Sequence, residues 1–154
     1  MILLCELSFS GRAHVPFNAG LLATIHVAFP KENLSFYGGR THIAELKNEV
    51  GPSLADLINW QEVVPPASNA SYWKRFPCEL KILRKLLGIL ETNADSRLIL
   101  TSAYPSTILA LKITRVFRPK HHCVQIILHG RSAVCSRALV CGHALISCSR
   151  FEGL

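Results

Sequence analysis

The chain has 154 residues, of which 49% are hydrophobic and 18% charged, and its formal net charge is +7. That length implies one domain with room for a substantial core. The apolar fraction excludes intrinsic disorder, and the lack of heptads or a Gly-X-Y period excludes coiled coil and collagen.

Ile2 to Leu7 is a short apolar run that fits a buried strand. Ser8 to Arg12 follows as a turn. Pro16 falls where a first helical turn tolerates it. Phe17, Leu21, Leu22, Ile25 and Phe29 then recur at helical spacing, and Pro30 and Asn33 stop that helix. Asn33 to Tyr37 is the second strand, closed by Gly38 and Gly39. Thr41 is positioned to cap a helix over His42 to Val50, which Gly51-Pro52 ends.

Leu57 to Val64 suits a third strand, with a loop over residues 65–69. A long helix is expected from Tyr72 to Asn93, with Phe76, Leu80, Leu83, Leu87 and Leu90 as its apolar stripe; Pro77 is an alternative start. Arg97 to Thr101 is a fourth strand. After Tyr104-Pro105, Ile108, Leu109, Leu111, Ile113 and Val116 mark a further helix. His122 to His129 is the fifth strand, closed by Gly130.

Strands alternating with helices predict a Rossmann-like, doubly wound parallel sheet of about five strands. Ligands of such sheets bind beyond the carboxyl ends of the strands. The segments of interest are therefore Ser8–Asn18, Tyr37–Thr41, Val64–Ser71, Thr101–Pro105 and His129–Ser132.

The start of the chain is apolar but has no positive leader, and Glu6 interrupts it, so it does not read as a secretory signal. The longest uncharged run, Ala13 to Pro30, contains two His, two Pro and an Asn and makes a poor membrane span. A cytoplasmic chain with free thiols at its six cysteines is the expectation. Residues 118–154 carry Arg118, Lys120, Arg131, Arg137 and Arg150 against the single acid Glu152. No RNA-binding aromatic motif or zinc-finger spacing accompanies this charge, and no nucleic-acid partner is expected. On the long helix, Lys74, Lys81 and Lys85 share a stripe; a solvated face is favoured there over contact with a membrane surface.

The dinucleotide fingerprint, the phosphate loop and the Gly-x-Ser-x-Gly elbow are all absent, so no cofactor is expected. No metal site is expected either: Cys135, Cys141, His143 and Cys148 have no ordinary zinc spacing. The first strand–helix connection places Ser10, Gly11, Arg12, His14 and Asn18 at the ligand-binding edge. Hydroxyl, imidazole and amide groups there can hydrogen-bond a polyhydroxyl substrate, or else Ser10 and Gly11 form the turn while His14 and Asn18 satisfy the helix start. His129, at the end of the fifth strand, is a candidate catalytic group able to accept a proton or orient a hydroxyl, or else a strand-terminal His bonded to a loop carbonyl.

The run Ile2-Leu3-Leu4-Cys5-Glu6-Leu7-Ser8-Phe9-Ser10-Gly11, with His14-Val15-Pro16-Phe17-Asn18, resembles the start of a GT-B-type glycosyltransferase. Leu98 to Ser102 and Val124 to Gly130 look like that family's fourth and fifth strands. The resemblance covers residues 1–130 and implies the acceptor-binding half of a nucleotide-sugar-dependent enzyme. It implies that Ser10–Arg12 and the His14 region line the cleft and that His129 lies near the acceptor side of the transfer site. Its partners would be a sugar acceptor and a separate donor-binding domain or chain. Nothing here resembles the donor half, and the Glu-x7-Glu pair of many retaining members is absent. Residues 131–154 depart from the family pattern as a basic, Cys-containing tail, expected to be disordered or loosely packed, as in a truncated form inactive alone. The alternative is a non-catalytic interaction or regulatory protein that keeps the fold.

Overall fold

The computed structural model describes residues 1–7, 14–67, 69–92, 96–102, 104–117, 123–126 and 144–146. Its strands are β1 (Ile2–Cys5), β2 (Leu34–Gly38), β3 (Ile58–Glu62), β4 (Arg97–Leu100), β5 (Cys123–Ile126) and β6 (Ala144–Ile146). Its helices are α1 (His14–Ala28), α2 (Arg40–Val50), α3 (Pro52–Ala55), α4 (Tyr72–Glu91) and α5 (Pro105–Phe117). All strand pairs are parallel, in the order β3-β2-β1-β4-β5-β6. This is the doubly wound α/β arrangement, with one strand more than the five expected, because Ala144–Ile146 pairs with β5.

β1 is the hub, paired with β2 on one side and β4 on the other. Its four residues are all buried, as a strand covered on both faces requires. Side-chain alternation sorts them. Leu3, Cys5 and Leu7 join a core with Leu83, Leu86, Leu87 and Leu90 of α4 and Ala110 and Leu111 of α5. Ile2 and Leu4 join a second core with Val15, Leu22 and Ile25 of α1 and Ile43 and Leu46 of α2. The same parity puts Glu6 on the α1/α2 face, one residue past the strand.

Several boundaries differ from the expected ones. α2 starts at Arg40, with Gly39 at its N-cap and no side-chain cap, so Thr41 is inside the helix. α1 starts at His14 and buries Val15, Asn18, Ala19, Leu22 and Ile25. The stripe expected through Phe17 and Phe29 is rotated, because this helix is apolar around most of its circumference and periodicity alone did not select the face. β3 is shorter than expected, leaving Leu57 and Val64 exposed at the sheet edge. α4 does start at Tyr72, with Pro77 inside it; the cost is the missing donor to the Trp73 carbonyl one turn back. Gly51, with φ 77°, turns the chain out of α2 in a conformation that favours glycine. Among the described residues, no helix is long and apolar enough to cross a membrane.

Candidate functional site

The strand order reverses between β1 and β4. Successive connections leave on opposite sides of that seam, the place where sheets of this kind bind ligands at the carboxyl ends of their strands. The residues that follow those ends meet there. The β1–β4 register aligns Cys5 with Leu100. One residue further, Thr101 donates its hydroxyl to Glu6 Oε2 at 2.7 Å, and its backbone N–H donates to the Cys5 carbonyl.

Glu6 is 1% exposed. α1 brings two more partners to the same oxygen. His14 Nδ1 lies 3.3 Å from Oε2, and Asn18 Nδ2 donates to it at 3.2 Å. Asn18 does not cap α1; it is the fifth helical residue and points into the core side of the helix. Its Nδ2 also lies 3.0 Å from Nε2 of the buried His42 on α2. A carboxylate accepts only, so the Asn18 amide must present its nitrogen to Glu6. That nitrogen donates only, so His42 Nε2 is the acceptor and His42 carries its proton on Nδ1. The His42 ring stacks on Phe36 of β2, with centroids 5.9 Å apart.

The electrostatics agree with this pattern. Burial opposes ionisation of Glu6, but the hydrogen bonds of His14 and Thr101 and the charge of His14 outweigh it and lower the carboxyl from 4.5 to about 2. Glu6 is therefore an anion inside the fold. Burial also lowers His42 below 6.5, consistent with a neutral ring. Burial first, and the Glu6 charge second, push the Cys5 thiol well up, so this cysteine is an inert core residue.

His14 is the member that reaches water, with its side chain 23% exposed. Glu6 holds Nδ1 as the donor, which makes Nε2 the basic nitrogen of the ring. A carboxylate that fixes the tautomer and plane of a partly exposed histidine equips it to accept a proton from a bound hydroxyl.

A second charged cluster lies on α4. Arg75 of α4 donates to Glu79 Oε1 at 3.0 Å and to the Ala67 carbonyl at 3.0 Å, and its guanidinium lies 3.6 Å from the centre of the Tyr104 ring. It ties the β3–α4 and β4–α5 connections together at the carboxyl edge. Both side chains of the ion pair are sealed from solvent. Their role is structural.

Of the site residues expected from sequence, His14 and Asn18 converge on one carboxylate. Ser10, Gly11, Arg12 and His129 lie outside the described residues. Sequence reasoning placed Thr101 in a segment of interest without assigning it a role, and missed Glu6 and His42. The available signal was a lone acid at the end of an otherwise fully apolar strand. Such a charge, once buried, has to collect partners. Compared with known proteins, the chain matches no family model and no curated sequence.

Proposed function

We propose that this chain is the acceptor-binding half of a nucleotide-sugar-dependent glycosyltransferase, working in the cytoplasm with a donor-binding half on another domain or chain. The observation that carries the reading is the Glu6–His14 pair at the β1/β4 seam. In this reading Nε2 of His14 accepts the proton of an acceptor hydroxyl as the oxygen bonds to the sugar and the nucleoside diphosphate leaves. Asn18 and Thr101 keep the Glu6 carboxylate ionised and aimed. His129 keeps the acceptor-side role that the sequence resemblance implies. The unpaired thiols of Cys5 and Cys78 suit a reducing compartment.

The test is sugar transfer from nucleotide sugars by the chain mixed with candidate donor halves. Transfer that falls by about a hundredfold or more in His14→Ala, the usual scale for loss of a general base, supports the reading. Transfer indifferent to both His14→Ala and His129→Ala contradicts it. A non-catalytic interaction protein is the second reading, favoured by the exposed Val64 after β3 and Trp73 on α4. Absence of transfer under every pairing selects that one.

A further inference from the structure

The outward face of α4 combines charge and apolar exposure in a way that no other described element does. At 3.6 residues per turn, Trp73, Lys74, Pro77, Lys81, Arg84 and Lys85 fall within about a third of the helix circumference. All six are exposed, opposite the buried stripe through Ile82, Leu86 and Leu90. The acids of α4 do not offset them. Glu79 is buried against Arg75, and Glu91 is the last helical residue, half-buried. Among the described residues, none of the four cations forms an ion pair. The exposed face of α2 differs, since it interleaves Arg40 and Lys47 with Glu45 and Glu49.

The amino-terminal end of this stripe is apolar. Trp73 is 80% exposed and Val64 85% exposed. Tyr72 stands edge-on to Trp73, with centroids 5.3 Å apart, and lies parallel to Phe76. Cys78 Sγ donates to the Val64 carbonyl at 3.1 Å, which sets Val64 beside the first half of the helix. The amphipathic rings of Trp and Tyr settle at the headgroup level of a bilayer, an aliphatic side chain beside them enters the acyl boundary, and a row of cations meets anionic headgroups.

We propose that this face of α4 docks on an anionic lipid surface, with Trp73 and Val64 inserted at the headgroup boundary and Lys81, Arg84 and Lys85 over the headgroups. Charge complementarity identifies the surface as anionic. Exposed aliphatic Val64 favours a bilayer over a nucleic acid, which offers it no apolar phase. The inference uses only surface residues, so it stands whether or not the glycosyl reading does.

The experiment is co-sedimentation of the full chain with vesicles of phosphatidylcholine alone and of phosphatidylcholine with phosphatidylglycerol in equal parts. Sedimentation is expected with the anionic vesicles only, weakening as salt is added. Lys81→Gln with Lys85→Gln is expected to weaken it about twenty-five-fold, taking about fivefold per cation near the surface. Trp73→Ser weakens it several-fold. In a Trp60→Phe background, the emission of Trp73 shifts to the blue on binding. All these positions are at the surface or half-exposed, and thermal unfolding checks that the variants stay folded. Equal sedimentation with neutral vesicles, none with anionic ones, or binding unaffected by either surface variant overturns the proposal. Binding lost with the lysines but indifferent to Trp73, together with tight binding of an oligonucleotide, overturns it in favour of a polyanion site.

Discussion

Glu6 and Glu79 are both buried carboxylates near the carboxyl edge of the sheet, yet they are held in opposite ways. Glu79 takes its partner from the same helix, four residues back, so α4 makes the ion pair by itself and the packing around it closes the pair from water. Glu6 collects His14, Asn18 and Thr101, which lie 8, 12 and 95 residues away and arrive only when α1, β1 and β4 are assembled. One pair is local and sealed. The other is assembled by the whole fold and opens to solvent through His14. A buried charge does not mark a site by being buried; what distinguishes this one is convergence from several elements at the seam of the sheet.

Substitutions that separate the two clusters sharpen that contrast. Arg75→Ala leaves Glu79 buried without its cation and removes the stack on Tyr104. A loss of about 3–5 kcal/mol is expected in urea unfolding. The double variant Arg75→Met with Glu79→Leu is expected to recover most of it, because an apolar pair of similar volume avoids the desolvation cost.

Glu6 acts through pH. Its carboxyl is held at about 2 in the folded chain against 4.5 for an unperturbed group, so the unfolded chain takes up the proton first. The contribution is therefore complete above 4.5 and is lost as pH falls toward about 2. The separation corresponds to about 3 kcal/mol. Urea midpoints measured down through this range are expected to fall steeply for the native chain and less for Glu6→Gln, so that the gap between them narrows in acid.

Thr101→Val removes a hydroxyl bonded to a charged group and is expected to cost about 2 kcal/mol, measured the same way. His42 defines a separate and smaller window. Its folded value is below 6.5, so the unfolded chain protonates first and stability declines as pH drops below 6.5. His42→Gln keeps an acceptor for Asn18 and is expected to flatten that decline in thermal unfolding. The exposed Arg40–Glu62 pair sits at the other extreme. With side chains 88% and 63% exposed, its removal by Arg40→Ala is expected to change stability by no more than about 0.5 kcal/mol.

The fold was largely legible in the chain. Leu98 to Leu100 and Ile2 to Cys5 announce buried parallel strands because both faces must be apolar, and the stripe Leu83, Leu87, Leu90 announces α4. The site was legible in part. His14 and Asn18 were placed at the correct edge by their position after β1. Their shared partner was not, because Glu6 reads locally as an interruption and its meaning depends on a register 95 residues distant. Arg75 likewise reads as one more cation on a basic helix. Only the helix phase, set by Ile82 and Leu86, turns it inward while Lys74 and Lys81 stay in water.

The most direct measurement is the titration of Glu6 itself, followed through its side-chain carboxyl carbon by NMR with labelled glutamate. The account predicts a carboxylate that stays ionised through the usual glutamate value of 4.5, its signal moving only as pH approaches about 2. A midpoint at 4.5 or above would mean that burial prevails over the hydrogen bonds of His14, Asn18 and Thr101, and that no anion organises this end of the sheet.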